Sequence, residues 1–193
     1  MHGSYKIFGS SYVCDKKMIK IISNKIIYKN KWIKIKKKKI IFPNKGVGEY
    51  YSLDQNDYVY VILQTSKNLF PLVKQYRHAI NKYTYEFPSG TLEKKETPAL
   101  CAKKEVLEET GHKVETLKKL SILYPDSGRL GNKVHMFFAT SKHELTKKVD
   151  KKEEIKVLYF TKNQIKKIIK DNKILHQPHI GLFYTAIVNK LIK

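Results

Sequence analysis

The segment from Thr97 to Gly111 constrains the fold more than any other stretch of this chain. Thr97 followed by Pro98 is a helix start: the threonine side chain can cap, and proline at the first helical position lacks an N–H that would go unpaired anyway. Gly111 is a natural stop, because glycine adopts the left-handed C-terminal conformation without strain. Between them, Glu105, Glu108 and Glu109 stand at i, i+3 and i+4, so three carboxylates share one helix face. Like charges at this spacing destabilise a helix by about 0.2–0.5 kcal/mol per pair. Two readings follow from the residues alone. One is a solvated acidic face with Lys103 and Lys104 as partners; the other is a set of hard oxygen donors for Mg²⁺, Mn²⁺ or Ca²⁺.

The surrounding pattern places this helix among strands. Tyr58 to Gln64 is a near-continuous β-branched and aromatic run, and Phe70 to Tyr76 repeats it after a turn. Further strands are expected at Leu117 to Tyr124, Val134 to Thr140 and Ile155 to Phe160. Two amphipathic helices follow, roughly Lys162 to Lys170 and Ile180 to Ile192. Upstream, Ile19 to Ile41 alternates isoleucine with lysine, which reads as one or two strands with a solvated lysine face. Lys142 to Lys152 reads as one long exposed loop. Strands, helix, strands, helix is an α+β order, with the middle helix packed on a mixed sheet.

Length and charge bound the possibilities further. At 193 residues the chain suits one ordinary domain with a full core; the expectation is a flexible segment over residues 1–18 and a single domain over 19–193. No apolar stretch approaches the roughly 18 residues a membrane span needs. Cys14 and Cys101 supply neither a disulfide framework nor a zinc ligand set, so a reducing, cytoplasmic setting is expected. The first residues lack a secretory signal pattern, while their basic, acid-poor composition leaves organellar targeting open. The net charge of +22 would suit a polyanion. Yet among 39 basic residues only Arg77 and Arg129 are arginine, which points to a compositional lysine bias rather than a dedicated nucleic-acid surface. It also marks these two arginines as places where a planar, bidentate donor is needed.

A wider pattern then emerges. Gly90, Glu96, Glu105, Val106, Glu108, Glu109 and Gly111 stand at the spacings of G-x5-E-x7-R-E-U-x-E-E-x-G-U, where U is bulky aliphatic. This resembles the Nudix box. Two positions depart: Lys104 stands in place of the family's arginine, and His112 in place of an aliphatic residue. Outside the box, Val73-Lys74-Gln75-Tyr76-Arg77 and Tyr85-Glu86-Phe87-Pro88-Ser89-Gly90 look like the lead-in of the ADP-ribose and nucleoside-diphosphate-sugar pyrophosphatases of that family. Tyr124 to Leu130, with Pro125, is similar to the same subgroup. Both arginines fall inside these subgroup motifs.

The resemblance implies a fold, a reaction and a site. The fold is a mixed β-sheet between helices, an α/β/α sandwich, with an N-terminal antiparallel strand region. The reaction is metal-dependent cleavage of the pyrophosphate of ADP-ribose or a related nucleoside-diphosphate sugar, giving AMP and a sugar phosphate. Mg²⁺, with Mn²⁺ as the alternative, would be held by Glu105, Glu108, Glu109 and the main-chain carbonyl of Ser89. Lys104 would take the place of the arginine that orients a catalytic carboxylate, and either Glu153 or Glu154 would complete the site or act as base, alongside Glu108. Arg77 would clamp a phosphate, Glu86 would hydrogen-bond substrate polar groups, and Arg129 would bind substrate as well. Trp32, on an N-terminal strand, would stack the adenine. The resemblance also implies a homodimer through the N-terminal strands. The alternatives are a hydrolase acting on another nucleotide or an RNA 5′ end, and a catalytically weakened binding module.

Overall fold

The structure, a computed structural model, describes residues 19–142 and 156–192. The chain divides into two compact units, Met1–Ser52 and Leu53–Lys193.

In the first unit, β1 (Lys20–Lys29) and β2 (Lys34–Ile41) form an antiparallel hairpin. The strand β3 (Val47–Asp54) completes a three-stranded sheet in the order β1-β2-β3. Ile40 is the one buried side chain among the unit's described residues. The expected division into an apolar and a lysine face does not form: Ile21, Ile22, Ile26 and Ile27 of β1 are exposed, whereas Lys34, Lys36, Lys37 and Lys38 of β2 are half-buried, and Lys37 bonds Glu49 at 2.6 Å. Trp32 lies in the turn between β1 and β2 rather than on a strand, since Asn30 Oδ1 accepts from the N–H groups of both Trp32 and Ile33 at 2.8 Å. Its ring is 76% exposed, so it is no core residue.

The second unit holds ten further elements: β4 (Tyr58–Thr65), β5 (Phe70–Arg77), β6 (Lys82–Glu86), β7 (Ser89–Thr91), α1 (Pro98–Thr110), β8 (Thr116–Leu123), β9 (Val134–Ser141), β10 (Lys156–Phe160), α2 (Lys162–Lys170) and α3 (Gln177–Val188). One sheet runs β7-β4-β9-β8, with β4 and β9 parallel; a second, antiparallel sheet runs β10-β5-β6. The strand β4 explains the layering. Its Val59, Val61 and Leu63 pack with Cys101, Ala102 and Val106 of α1, while Tyr60 and Ile62 pack with Ile165 of α2 and Leu182, Phe183 and Ala186 of α3. Successive side chains of a strand face opposite ways, so a strand covered on both faces reads as a continuous apolar run. The expected mixed sheet between helices is what forms.

The helix ends follow the sequence signals in α1 and depart from them in α3. Thr97 Oγ1 accepts from the Leu100 N–H at 3.3 Å, and Gly111 adopts φ 74° with its N–H on the Leu107 carbonyl. The last helix begins at Gln177, not near Ile180, because Pro178 preorganises the first turn; it ends at Val188. Residues 143–155 lie outside the described residues, and with them most of the expected Lys142 to Lys152 loop and both Glu153 and Glu154.

Candidate active site

A cavity of about 920 Å³ opens beside the edge strand β7. It is lined from two layers: Glu105, Glu108 and Glu109 come from α1, while Tyr58 and Tyr60 of β4 and His176, just before α3, come from the other side. Arg77 of β5 and Glu86 of β6 also line it, with Ser89, Gly90 and Thr91 of β7.

The acidic wall is built by close approach. Gly90 lies against α1 so tightly that a β-carbon there would overlap the Glu105 carboxyl group. Glu109 Oε2 accepts from the Ser89 N–H at 3.0 Å. Burial pushes the Glu105 pKa up to about 7, against the pull of Lys104. Burial likewise pushes Glu109 up to about 8, against the Ser89 hydrogen bond. Glu108 is exposed at the cavity wall. Lys104 Nζ sits 3.3 Å from Glu96, 3.8 Å from Glu93 and 3.8 Å from Glu105, tying the loop before α1 to the helix. An ammonium meets three carboxylates here as a point charge, without the parallel bonds of a guanidinium.

Across the cavity a cation and a carboxylate, Arg77 and Glu86, are paired. Arg77 donates from Nε to Glu86 Oε1 at 2.7 Å and from Nη2 to Oε2 at 2.5 Å. His179 Nε2 lies 3.0 Å from the same Oε2. Burial alone would raise the Glu86 pKa, but these hydrogen bonds outweigh it and hold it at about 2. The Glu86 side chain is fully buried, whereas that of Arg77 is 45% exposed. The bidentate need marked by this arginine is met first by a carboxylate of its own chain.

Several expected site residues come together and others do not. Ser89, Glu105, Glu108, Glu109, Arg77 and Glu86 all line the cavity. Arg129 is exposed and is not among the lining residues; its backbone carbonyl accepts from the Leu53 N–H at 2.9 Å. Trp32 belongs to the first unit, and Glu153 and Glu154 lie outside the described residues. His112 is buried, with Nε2 2.8 Å from the Tyr159 hydroxyl, which explains a polar residue where an aliphatic one was expected.

The NUDIX domain pattern matches residues 54–178. The chain belongs to the NUDIX domain family. An ADP-ribose pyrophosphatase of Bacillus subtilis is 30% identical over 118 residues, covering 60% of this chain and 64% of the relative. A methanol dehydrogenase activator of Bacillus methanolicus is 32% identical over the same length and shares. The chain thus spans less than two thirds of either relative. An ADP-sugar pyrophosphatase of Mus musculus is 36% identical over 69 residues, 36% of this chain and 32% of that one. The crystal structure of an ADP compounds hydrolase superposes with a TM-score of 0.77 at 15% identity, covering 87% of this chain and 91% of that one. That likeness fixes the NUDIX fold.

The NUDIX segment on α1 fits a divalent cation. Its donors are carboxylate oxygens, the kind that Mg²⁺ and Mn²⁺ take. Burial makes Glu105 and Glu109 cling to protons well above the ordinary range, and a cation in their place would relieve the same cost. A different set converges more closely: one ligand atom each from Glu86, His176 and His179 lie within 4.8 Å of one another. Arg77 already holds both oxygens of that Glu86, and its positive charge opposes a second cation there.

Neither histidine was foreseen. The seven histidines look scattered in the sequence, and His176-x-x-His179 gains meaning only once α3 begins before Ile180. Pro178 was the available signal. Tyr58 and Tyr60 carry only a strand signal in the sequence, and the cavity at the start of β4 is formed by the packing of other elements.

Proposed function

We propose that this protein is a divalent-cation-dependent NUDIX hydrolase that cleaves the pyrophosphate of ADP-ribose, or a related nucleoside-diphosphate sugar, to AMP and a sugar phosphate. The observation that carries this reading is the cavity itself, where the carboxylates of α1 face the same space as Arg77 and the tyrosines of β4. The names of the Bacillus subtilis and mouse relatives support the substrate class.

A pyrophosphate diester carries two negative charges, which repel a nucleophile and must be neutralised. Glu105, Glu109 and the Ser89 carbonyl would hold the cation, with Glu108 extending the set. When bound, a Mg²⁺ ion polarises phosphate oxygens and makes bound water more acidic. Arg77 adds fixed positive charge at the cavity wall, and its donors not spent on Glu86 are available to a phosphate oxygen. Lys104 keeps Glu105 and Glu96 in place. The attacking water loses its proton to a carboxylate, for which Glu153 or Glu154 is our assignment. Tyr58, partly exposed at the cavity, offers aromatic surface to the sugar or base.

The expected experiment is direct. With Mg²⁺, ADP-ribose yields AMP, and a chelator stops the reaction. Release of terminal phosphates from RNA 5′ ends with no AMP from ADP-ribose would favour the second reading, which the +22 charge supports. No product from either would favour a binding module. The exposed Ile21, Ile22, Ile26 and Ile27 of the first unit support a homodimer through β1.

A further inference from the structure

The Glu86 carboxylate is anchored from two layers of the fold. Two of its hydrogen bonds come from Arg77 on the neighbouring strand, and the third comes from His179, 93 residues later in the first turn of α3. The His179 ring has a fixed orientation: it stacks on Tyr60 with centroids 4.6 Å apart and planes 14° off parallel, and His176 meets it edge-on at 5.0 Å. Because Glu86 is ionised, Nε2 of His179 carries the proton and donates. The other ring nitrogen, Nδ1, is buried and finds no hydrogen-bond partner among the described residues.

That orphaned nitrogen is informative. A phenylalanine would fill the same space between Tyr60 and Phe87 without burying an unpaired polar atom, so packing does not explain the histidine. The bond to Glu86 does. A carboxylate held only by Arg77 could swing about its soft terminal torsion and carry the guanidinium with it. A third donor, rigidly mounted on a different element, fixes the carboxylate plane.

We propose that His179 is a positioning residue: by locking Glu86 it holds the Arg77 guanidinium in one orientation at the cavity wall. The catalytic consequence rests on the hydrolase reading above, whereas the positioning itself does not. Arg77 is half-exposed on a strand whose end is solvated, so without this lock it would sample several rotamers and present its charge to phosphate only part of the time.

The test uses His179→Phe, His179→Gln and Arg77→Lys in the full chain. His179→Phe is expected to lower kcat/KM about 10-fold with Tm within a few degrees of wild type. His179→Gln, whose amide can donate to Glu86, recovers part of that loss. In the Arg77→Lys background, His179→Phe costs less than about 2-fold further, because its effect runs through Arg77. The sequence offers an activity-free readout, since only Arg77 and Arg129 give arginine Nε–H signals in a ¹⁵N NMR spectrum. The signal missing in Arg77→Lys is that of Arg77, and it should be slow to exchange with solvent in wild type and fast in His179→Phe, with Arg129 unchanged. Unaltered exchange at Arg77 in His179→Phe overturns the proposal, as does an equal loss of activity in both arginine backgrounds. If wild type cleaves no pyrophosphate, the hydrolase reading fails while the exchange comparison still decides the positioning role.

Discussion

Gly90 of β7 lies so close to Glu105 of α1 that a β-carbon there would overlap the Glu105 carboxyl carbon, so a side chain fits only if that carboxyl moves away. The glycine does not have a positive φ; among the described residues Gly111 is the glycine that does. The requirement is therefore for space rather than for backbone freedom. Gly90→Ala should push the Glu105 carboxyl out of its place, reduce turnover by at least about 100-fold and abolish most of the Mg²⁺-dependent rise in Tm. Near-normal turnover in this variant would show that the α1 carboxylates are not part of the site.

Neutralising the carboxylates separates stability from activity. Glu105→Gln and Glu109→Gln each remove a buried acid, so the cation-free protein should be as stable as wild type or more so. Each should lower turnover strongly and shrink the stabilisation by Mg²⁺. Thermal melts with and without the ion, beside a rate assay, check both halves.

The raised carboxyls also set a pH dependence. In the fold, Glu105 and Glu109 keep their protons to about pH 7 and 8, whereas the ordinary value is 4.5. The folded state binds more protons across that window, so the cation-free protein loses stability as pH rises from 4.5 towards 8. On the proposed reading Mg²⁺ would compete with those protons, so its gain in Tm should be larger at pH 8 than at pH 6. A gain independent of pH would place the ion elsewhere. Glu86 acts in the opposite sense, adding stability above 4.5 that is lost as pH falls towards 2.

Arg77→Lys should be costly in a chain that is otherwise full of lysine. It breaks the paired bonds to a buried carboxylate and, on the proposed reading, replaces the guanidinium that faces substrate with an ammonium that keeps the charge but not the fork. Loss of one charge-assisted bond, about 1.5–3 kcal/mol, corresponds to roughly 10- to 100-fold in kcat/KM. Tm should fall too, because Glu86 is left with weaker partners. A variant equal to wild type in both rate and Tm would refute this.

Lys104→Arg moves the other way. The ammonium lies 3.3–3.8 Å from three carboxylates that a guanidinium could grip in pairs. Activity should be unchanged or a few-fold higher, and Lys104→Met should lose most of it. A steady-state comparison of the three proteins decides whether the site has adapted to lysine.

Much of this was local and therefore legible. The cap at Thr97, the stop at Gly111 and the one-faced carboxylates depend on neighbours within four residues, so α1 formed as read. The near-continuous apolar run of β4 marked a strand, and the fold covers it on both sides. The box spacing identified the family before any distance was known. Trp32 shows the limit even of local reading, since the Asn30 side chain turns the chain where isoleucine and lysine alternation suggested a strand.

What the sequence determined by itself was thus the longer elements other than β3, the family and the acidic helix, because periodicity, capping and motif spacing act over a few residues; β3 and the short strands β6 and β7, which carry Glu86, Ser89 and Gly90, emerged only in the fold. The tertiary structure alone decided which groups meet across long separations. Arg77 and Glu86 are not cross-strand partners, since Arg77 stands opposite Lys82 and Glu86 opposite Val73, and their side chains meet only by reaching along the folded β5/β6 hairpin. His179 reaches the same carboxylate because α3 packs across β4 and stacks its ring on Tyr60. The pKa values of Glu105 and Glu109 likewise arise from burial against β7, which no spacing along the helix encodes. Solvent exclusion is a property of the packed layers, and it is what sets Glu105 and Glu109 apart from ordinary glutamates.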